Sequence, residues 1–270
     1  MSLFNFDNRT FRLVLAGAAL ALTGGALGTG CGGSNTGTLE GFCGELAAVE
    51  CSYAIVTACY GSSDATFQTD QASCIAARSR VSNCNPNGLT YHPEFADACI
   101  AQHGLVFSSA TIDSATYATL RDACLPAFNQ GRTQGSECSD DSDCDVGYAG
   151  LRCITRVGGK GTCQVPVPVA GGASCKDPSA QCPTGNYCDS GFHCVQIGLK
   201  GDACGAGQPC GTGTRCVNEV CVDQLTNGQA CTSADDCVGG FCLGGADAGQ
   251  CAASYILAFG SSTCKAFTSL

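Results

Sequence analysis

Cysteine decides what chemistry this chain can do. The 270 residues hold 25 of them. Thiols can oxidise to disulfides, ligate metal, act as nucleophiles or carry a covalent modification. Setting aside Cys31 leaves 24, an even number, which fits a closed disulfide framework. Seven stand in one stretch: Cys43, Cys51, Cys59, Cys74, Cys84, Cys99 and Cys124. Sixteen follow in quartets: Cys138, Cys144, Cys153 and Cys163; Cys175, Cys182, Cys188 and Cys194; Cys204, Cys210, Cys216 and Cys221; Cys231, Cys237, Cys242 and Cys251. Cys264 is the last. Zinc sites commonly use Cys-x-x-Cys pairs, and the chain has none, so no metal site is expected among the cysteines.

The other chemistry-bearing residues are few. His92, His103 and His193 are the three histidines. None stands in a Gly-x-Ser-x-Gly or His-x-x-x-His context, so acid–base and nucleophilic catalysis lack their usual partners. His92 and His103 flank an expected helix, where a capping or solvent-facing role suffices. Asp140, Asp141, Asp143 and Asp145 crowd one short stretch, with Asp235 and Asp236 at the matching place before Cys237. Calcium takes several oxygen ligands on a loop, but Asp also builds turns by bonding its own backbone, and turns are the expectation. Tyr148, Tyr187, Phe192 and Phe241 either form a recognition stripe or cover disulfides. No enzyme activity and no cofactor are expected.

The N-terminus supplies an address. Arg9 and Arg12 precede an uncharged run from Leu13 to Leu27, the parts of a secretory signal peptide. The run is too short for a spanning helix, which needs about 20 apolar residues. Gly28-Thr29-Gly30-Cys31 resembles a bacterial lipobox, in which the cysteine is acylated and becomes the mature N-terminus. Leu27 stands four residues before Cys31, one more than the motif prefers. The resemblance implies a signal peptide over 1–30, lipidation at Cys31 and a Gly/Ser-rich flexible tether over 31–38. Gly32 after the cysteine implies the bacterial outer membrane or cell surface, with plain secretion as the alternative.

Composition agrees with export. The cysteine content exceeds the ~8–10% that marks a disulfide scaffold, and disulfides persist only in oxidising compartments. A net charge of −10 makes nucleic acid a poor partner. With 37 glycines and no Trp, covalent links must replace part of a large apolar core.

Two kinds of periodicity position the cysteines. Residues 39–128 read as a helical cysteine-rich domain. Phe42, Leu46, Val49, Tyr53, Val56 and Tyr60 alternate by four and three, one helical face. Further helices are expected from Thr69 or Asp70 to about Val81, from Pro93 to a stop at Gly104, and from Asp113 as N-cap through Tyr117, Leu120 and Cys124. Beyond, helical spacing gives way to four units at 135–163, 172–194, 201–221 and 228–251. Each opens Gly-x-x-Cys, at Gly135, Gly172, Gly201 and Gly228. Val165 to Val169, rich in Pro, reads as a stiff spacer. Small hairpins are expected near Cys188–Cys194 and Cys216–Cys221. Four cysteines allow three pairings; first-to-third with second-to-fourth is favoured because interleaved bridges lock a short unit better than nested ones. Seven cysteines in the helices leave one over. Either Cys264, in the tail 252–270, returns to bond them, or the regions are not closed disulfide sets.

With these residues in view, the chain resembles the cysteine-rich secreted lipoproteins of predatory soil bacteria such as myxobacteria. The segment Tyr117 to Phe128, containing Cys124-Leu125-Pro126-Ala127-Phe128, is similar to the end of their helical regions. Gly135 to Cys144 is similar to the opening of their repeats, which resemble the N-terminal cysteine-rich domain of Dickkopf proteins. The resemblance implies a small disulfide-rich fold, a disulfide-stapled α-helical domain followed by four short four-cysteine repeats with little regular structure. It carries over no functional residues. The expected function is a surface-anchored, non-enzymatic binding module that meets the membrane through its lipid and engages an extracellular or periplasmic protein or glycan. The alternatives are a structural or protective envelope component, or a protease inhibitor presenting a loop at Leu151 to Arg156.

Overall fold

The computed structural model describes residues 35–85, 87–155, 161–205, 208–245 and 248–268. The expected signal peptide, Cys31 and residues 32–34 of the tether lie outside them. The chain is a cysteine-rich, disulfide-rich fold with a few helices and small, mostly antiparallel strand pairs.

Helix α1 (Leu39–Glu50) starts at Thr38, whose hydroxyl accepts from the Gly41 amide at 3.1 Å. The expected single helix through Tyr60 breaks instead at Cys51–Ser52, and α2 (Tyr53–Tyr60) leaves at 75° to α1. Ser52 causes the break. Its extended backbone and hydroxyl cap the Ile55 amide, and the same hydroxyl donates to the Phe107 carbonyl. Serine competes for backbone groups in this way and favours caps over helix interiors. Buried Ile55 and Val56 therefore form the inner face of α2, and Tyr53 is exposed.

Helix α3 runs Phe67–Arg78 rather than from Thr69 or Asp70 to Val81, and Val81–Cys84 forms its own turn, α4. Pro93–Phe95 is a 3-10 turn leading into α5 (Ala96–Val106). Gly104 lies inside α5 and does not stop it. An added Cβ there would sit 3.9 Å from Val49 Cβ, so the glycine faces α1 across the packing seam. Helix α6 (Ser114–Cys124) begins as the sequence indicates, with Asp113 Oδ1 accepting from the Thr116 amide at 2.7 Å.

One core unites these helices, and it includes Leu257, Cys264 and Phe267 from the far end of the chain. The tail is thus part of the helical body. Strand Ser254–Ile256 pairs antiparallel with Thr111–Asp113, the Leu257 amide donates to the Ala110 carbonyl at 2.9 Å, and α7 (Lys265–Thr268) packs on α3 and α2. Cys59–Cys264 bonds it in place, beside Cys43–Cys84, Cys51–Cys74 and Cys99–Cys124.

Between Gly135 and Cys251 the pairs are Cys138–Cys153 with Cys144–Cys163, Cys175–Cys188 with Cys182–Cys194, Cys204–Cys216 with Cys210–Cys221, and Cys231–Cys242 with Cys237–Cys251. The same hydrogen bonds recur around them. The amides of Gly135, Gly172, Gly201 and Gly228 donate to the carbonyls of Cys163, Cys194, Cys221 and Cys251 at 2.7–2.8 Å. All four glycines have φ between 76° and 92°, a region closed to most side chains. The approaching chain runs parallel beside the second cysteine, as in Arg132 with Cys144, Gly198 with Cys210 and Leu225 with Cys237. Val167–Pro168 does the same with Ala180–Gln181, so the proline-rich stretch is a hydrogen-bonded strand, not a free spacer. Hairpins form at Asn186–Cys188 with Cys194–Gln196 and at Thr214–Val217 with Val220–Asp223. The second turns through Asn218 and Glu219, both at positive φ, the geometry that matches strand twist.

Both ends of this stretch touch the helical body. Tyr148 packs edge-on against His92 and Phe95, at 5.5 and 5.3 Å between ring centroids. Phe241 packs against Tyr117 and Tyr255, at 6.1 and 6.3 Å. Burial pushes the hydroxyls of Tyr117 and Tyr255 up to about 12, as expected where a phenolate would be poorly solvated.

Candidate functional site

The one cluster of buried charge among the described residues sits where three helices meet. Glu50 closes α1, Arg78 closes α3 and His103 lies in α5; each is at most 2% exposed. Arg78 Nε donates to Glu50 Oε2 at 2.6 Å, and His103 Nδ1 lies 2.9 Å from Glu50 Oε1. Phe107 stacks on the imidazole at 5.6 Å, and Phe267 of α7 covers the Arg78 guanidinium at 5.0 Å. Burial alone would raise the Glu50 pKa. Arg78 and His103 together outweigh it and hold the carboxyl down at about 2. Glu50 therefore stays ionised at any ordinary pH. It has no proton to give as an acid, and the rings above it separate the cluster from solvent.

His92 stands at the N-cap position of the turn Pro93–Phe95, at the edge of the expected helix, but His103 is placed differently from expectation. His103 is a core residue and neither caps nor faces solvent. Its partners carried a sequence signal: Phe42, Leu46 and Glu50 stand at i, i+4 and i+8, so Glu50 occupies the buried stripe of α1. An acid on that stripe calls for a cationic partner.

The aspartates build turns. Asp140 Oδ1 accepts from the Ser142 amide at 2.7 Å, Asp141 Oδ1 from Cys153 at 2.8 Å, Asp143 Oδ2 from Ser139 at 2.7 Å and Asp145 Oδ1 from Tyr148 at 3.0 Å. Asp236 repeats the role of Asp143, accepting from Thr232 and Ser233 at 2.9 and 3.1 Å. Leu151 is buried and Arg152–Ile154 is a strand, with Arg152 Nη1 3.3 Å from Asp141 Oδ2. The inhibitor reading needs an exposed loop there, and Leu151 to Ile154 are not one; Arg156 lies outside the described residues. Of the four candidate aromatics, Tyr148 and Phe241 dock on the helices, Tyr187 lies in a hairpin strand, and Phe192 stands 42% exposed at φ 60°.

Cys99, His103 and Cys124 bring ligand atoms within 4.8 Å of one another, as do three cysteines in each downstream quartet. All of these sulfurs are in disulfides. A disulfide sulfur does not offer the thiolate that metal binding uses.

Comparison with protein-family models, with curated proteins and with solved structures returns no match to this chain.

Proposed function

We propose that this chain is a lipid-anchored, non-enzymatic surface protein, exported through residues 1–30 and acylated at Cys31. Its four four-cysteine repeats, 135–163, 172–194, 201–221 and 228–251, serve as a rigid binding surface for an extracellular or periplasmic protein or glycan. One observation carries the reading. All 24 cysteines from Cys43 to Cys264 are in twelve disulfides, which leaves Cys31 as the one cysteine outside the framework. The similarity of residues 28–31 to a lipobox gives that cysteine a use.

Disulfide-rich repeats need no large core, so their surface residues are free for recognition. Closure of the chain by Cys59–Cys264 also favours a second reading, a protease-resistant envelope component, which predicts self-association on sizing.

Mass spectrometry of the protein processed in a bacterial host tests the anchor. The expected product begins at triacylated Cys31 and has no free thiol. An unacylated N-terminus near Ala26 would sink it. Capture from intact outer membranes tests the binding role, and recovery of no protein or glycan counts against it.

A further inference from the structure

The disulfide connectivity points to a partner during maturation. Eleven of the twelve disulfides skip at least one intervening cysteine; only Cys99–Cys124 joins sequence neighbours. Oxidation of an unfolded chain favours the nearest thiol, because closing a loop becomes harder as roughly the 3/2 power of its length. Cys138 meets Cys144 roughly 4-fold more readily than its native partner Cys153. The extreme case is Cys59, whose partner Cys264 is 205 residues away. Its neighbour Cys74 is favoured over Cys264 roughly 50-fold. A Cys59–Cys74 or Cys51–Cys59 bond also blocks the native Cys51–Cys74 pair. In the folded protein Cys59 and Cys264 are each 2% exposed, so the correction must precede closure of α7 over the body.

We infer that this chain is a substrate of a thiol–disulfide isomerase, an exported protein with a reactive dithiol, and that Cys59–Cys264 is the bond that most depends on it. Each disulfide forms as two thiols pass two electrons and two protons to an oxidant of the disulfide class, which is reduced to two thiols. Exchange then consumes no further oxidant. The isomerase thiolate attacks Cys59 Sγ in a Cys51–Cys59 bond, and Cys51 leaves as a thiolate. The Cys264 thiolate attacks Cys59 Sγ in the resulting mixed disulfide, and the isomerase thiolate is released. This inference rests on the oxidised pairing and not on the binding role.

The test uses the full-length chain with Cys31→Ser, reduced and unfolded in urea, then diluted into a mixture of reduced and oxidised glutathione with or without catalytic protein disulfide isomerase. Samples are alkylated over time and the disulfides mapped by peptide mass spectrometry. The expected result is accumulation of Cys59–Cys264 faster with the isomerase by at least about tenfold, with Cys51–Cys59 or Cys59–Cys74 trapped in its absence. Equal rates in the two samples overturn the inference. In the further variant Cys59→Ser/Cys264→Ser, maturation of the remaining bonds should depend less on the isomerase. An undiminished dependence overturns the assignment of Cys59 as the bottleneck. Both readouts are bond maps, so they hold even where a variant folds poorly.

Discussion

The Phe267 ring covers the Arg78 guanidinium at 5.0 Å, across 189 positions of sequence. The helical body thus completes its own core only when the last described helix arrives. Arg78 is held on its other side by Glu50, so the contact decides whether a buried ion pair meets water. Tyr60 strengthens the closure by donating its hydroxyl to the Phe267 carbonyl, and Cys59–Cys264 makes it covalent.

Truncating Phe267 should be expensive. Phe267→Ala removes a fully buried ring and is expected to cost about 3–5 kcal/mol, whereas Phe267→Leu should cost distinctly less because it refills most of the space. Urea unfolding with disulfides intact measures both. An unchanged midpoint for Phe267→Ala would show that α7 is held by its disulfide alone.

Glu50 and Arg78 should behave as a coupled pair. Glu50→Gln leaves the guanidinium buried without its counter-charge and should cost about 3–5 kcal/mol. Replacing both residues, as Glu50→Met/Arg78→Met, should cost less than the single change, since no charge is then stranded. A double variant as unstable as the sum of its singles would refute the coupling.

The same carboxylate sets an acid limit. Its folded pKa of about 2 lies below the ordinary value of 4.5, so the folded state binds a proton there less readily than the unfolded state. The stability that Glu50 contributes is full above pH 4.5 and is lost as pH falls toward 2. Unfolding free energies across that window should decline, and Glu50→Gln should flatten the slope. Equal slopes in the two proteins would assign the acid sensitivity elsewhere.

Gly249 tests how tightly the last quartet is built. An added Cβ would run into Cys242 Sγ and lie 3.2 Å from Cys231 Sγ, the two ends of one disulfide. Gly249→Ala should therefore lower the yield of Cys231–Cys242 in a peptide map while leaving Cys175–Cys188 intact. Equal yields of both bonds would show that the hairpin absorbs the methyl group.

The aspartates should respond as turn residues. Asp141→Ala removes the bonds to the Cys153 amide and Arg152 and should cost about 1 kcal/mol. Millimolar calcium or a chelator should leave the melting temperature in place. A rise with calcium that Asp141→Ala abolishes would reinstate a metal site.

Local features were legible and long-range ones were not. Asp113 announces α6 because an N-cap acts within three residues. The hairpins at Cys188–Cys194 and Cys216–Cys221 follow from short spacing and turn residues. Phe42 to Tyr60 keep a helical rhythm that predicts one continuous helix, and the single serine that starts a new one, Ser52, leaves that rhythm unbroken. The position of Gly104 after Pro93 predicts a stop, whereas the structure places it inside α5 opposite Val49.

The sequence by itself determined the even set of 24 cysteines, the recurrent Gly-x-x-Cys openings and the division between helical and glycine-rich stretches. Each of these depends on composition or on neighbours a few residues apart. Only the tertiary structure decided that Cys264 bonds Cys59, that the tail becomes part of the helical core, and that Glu50, Arg78 and His103 meet beneath Phe107 and Phe267. Those contacts join residues tens to hundreds of positions apart. Parity shows that a cysteine needs a partner; only the packed body brings the right one within bonding distance.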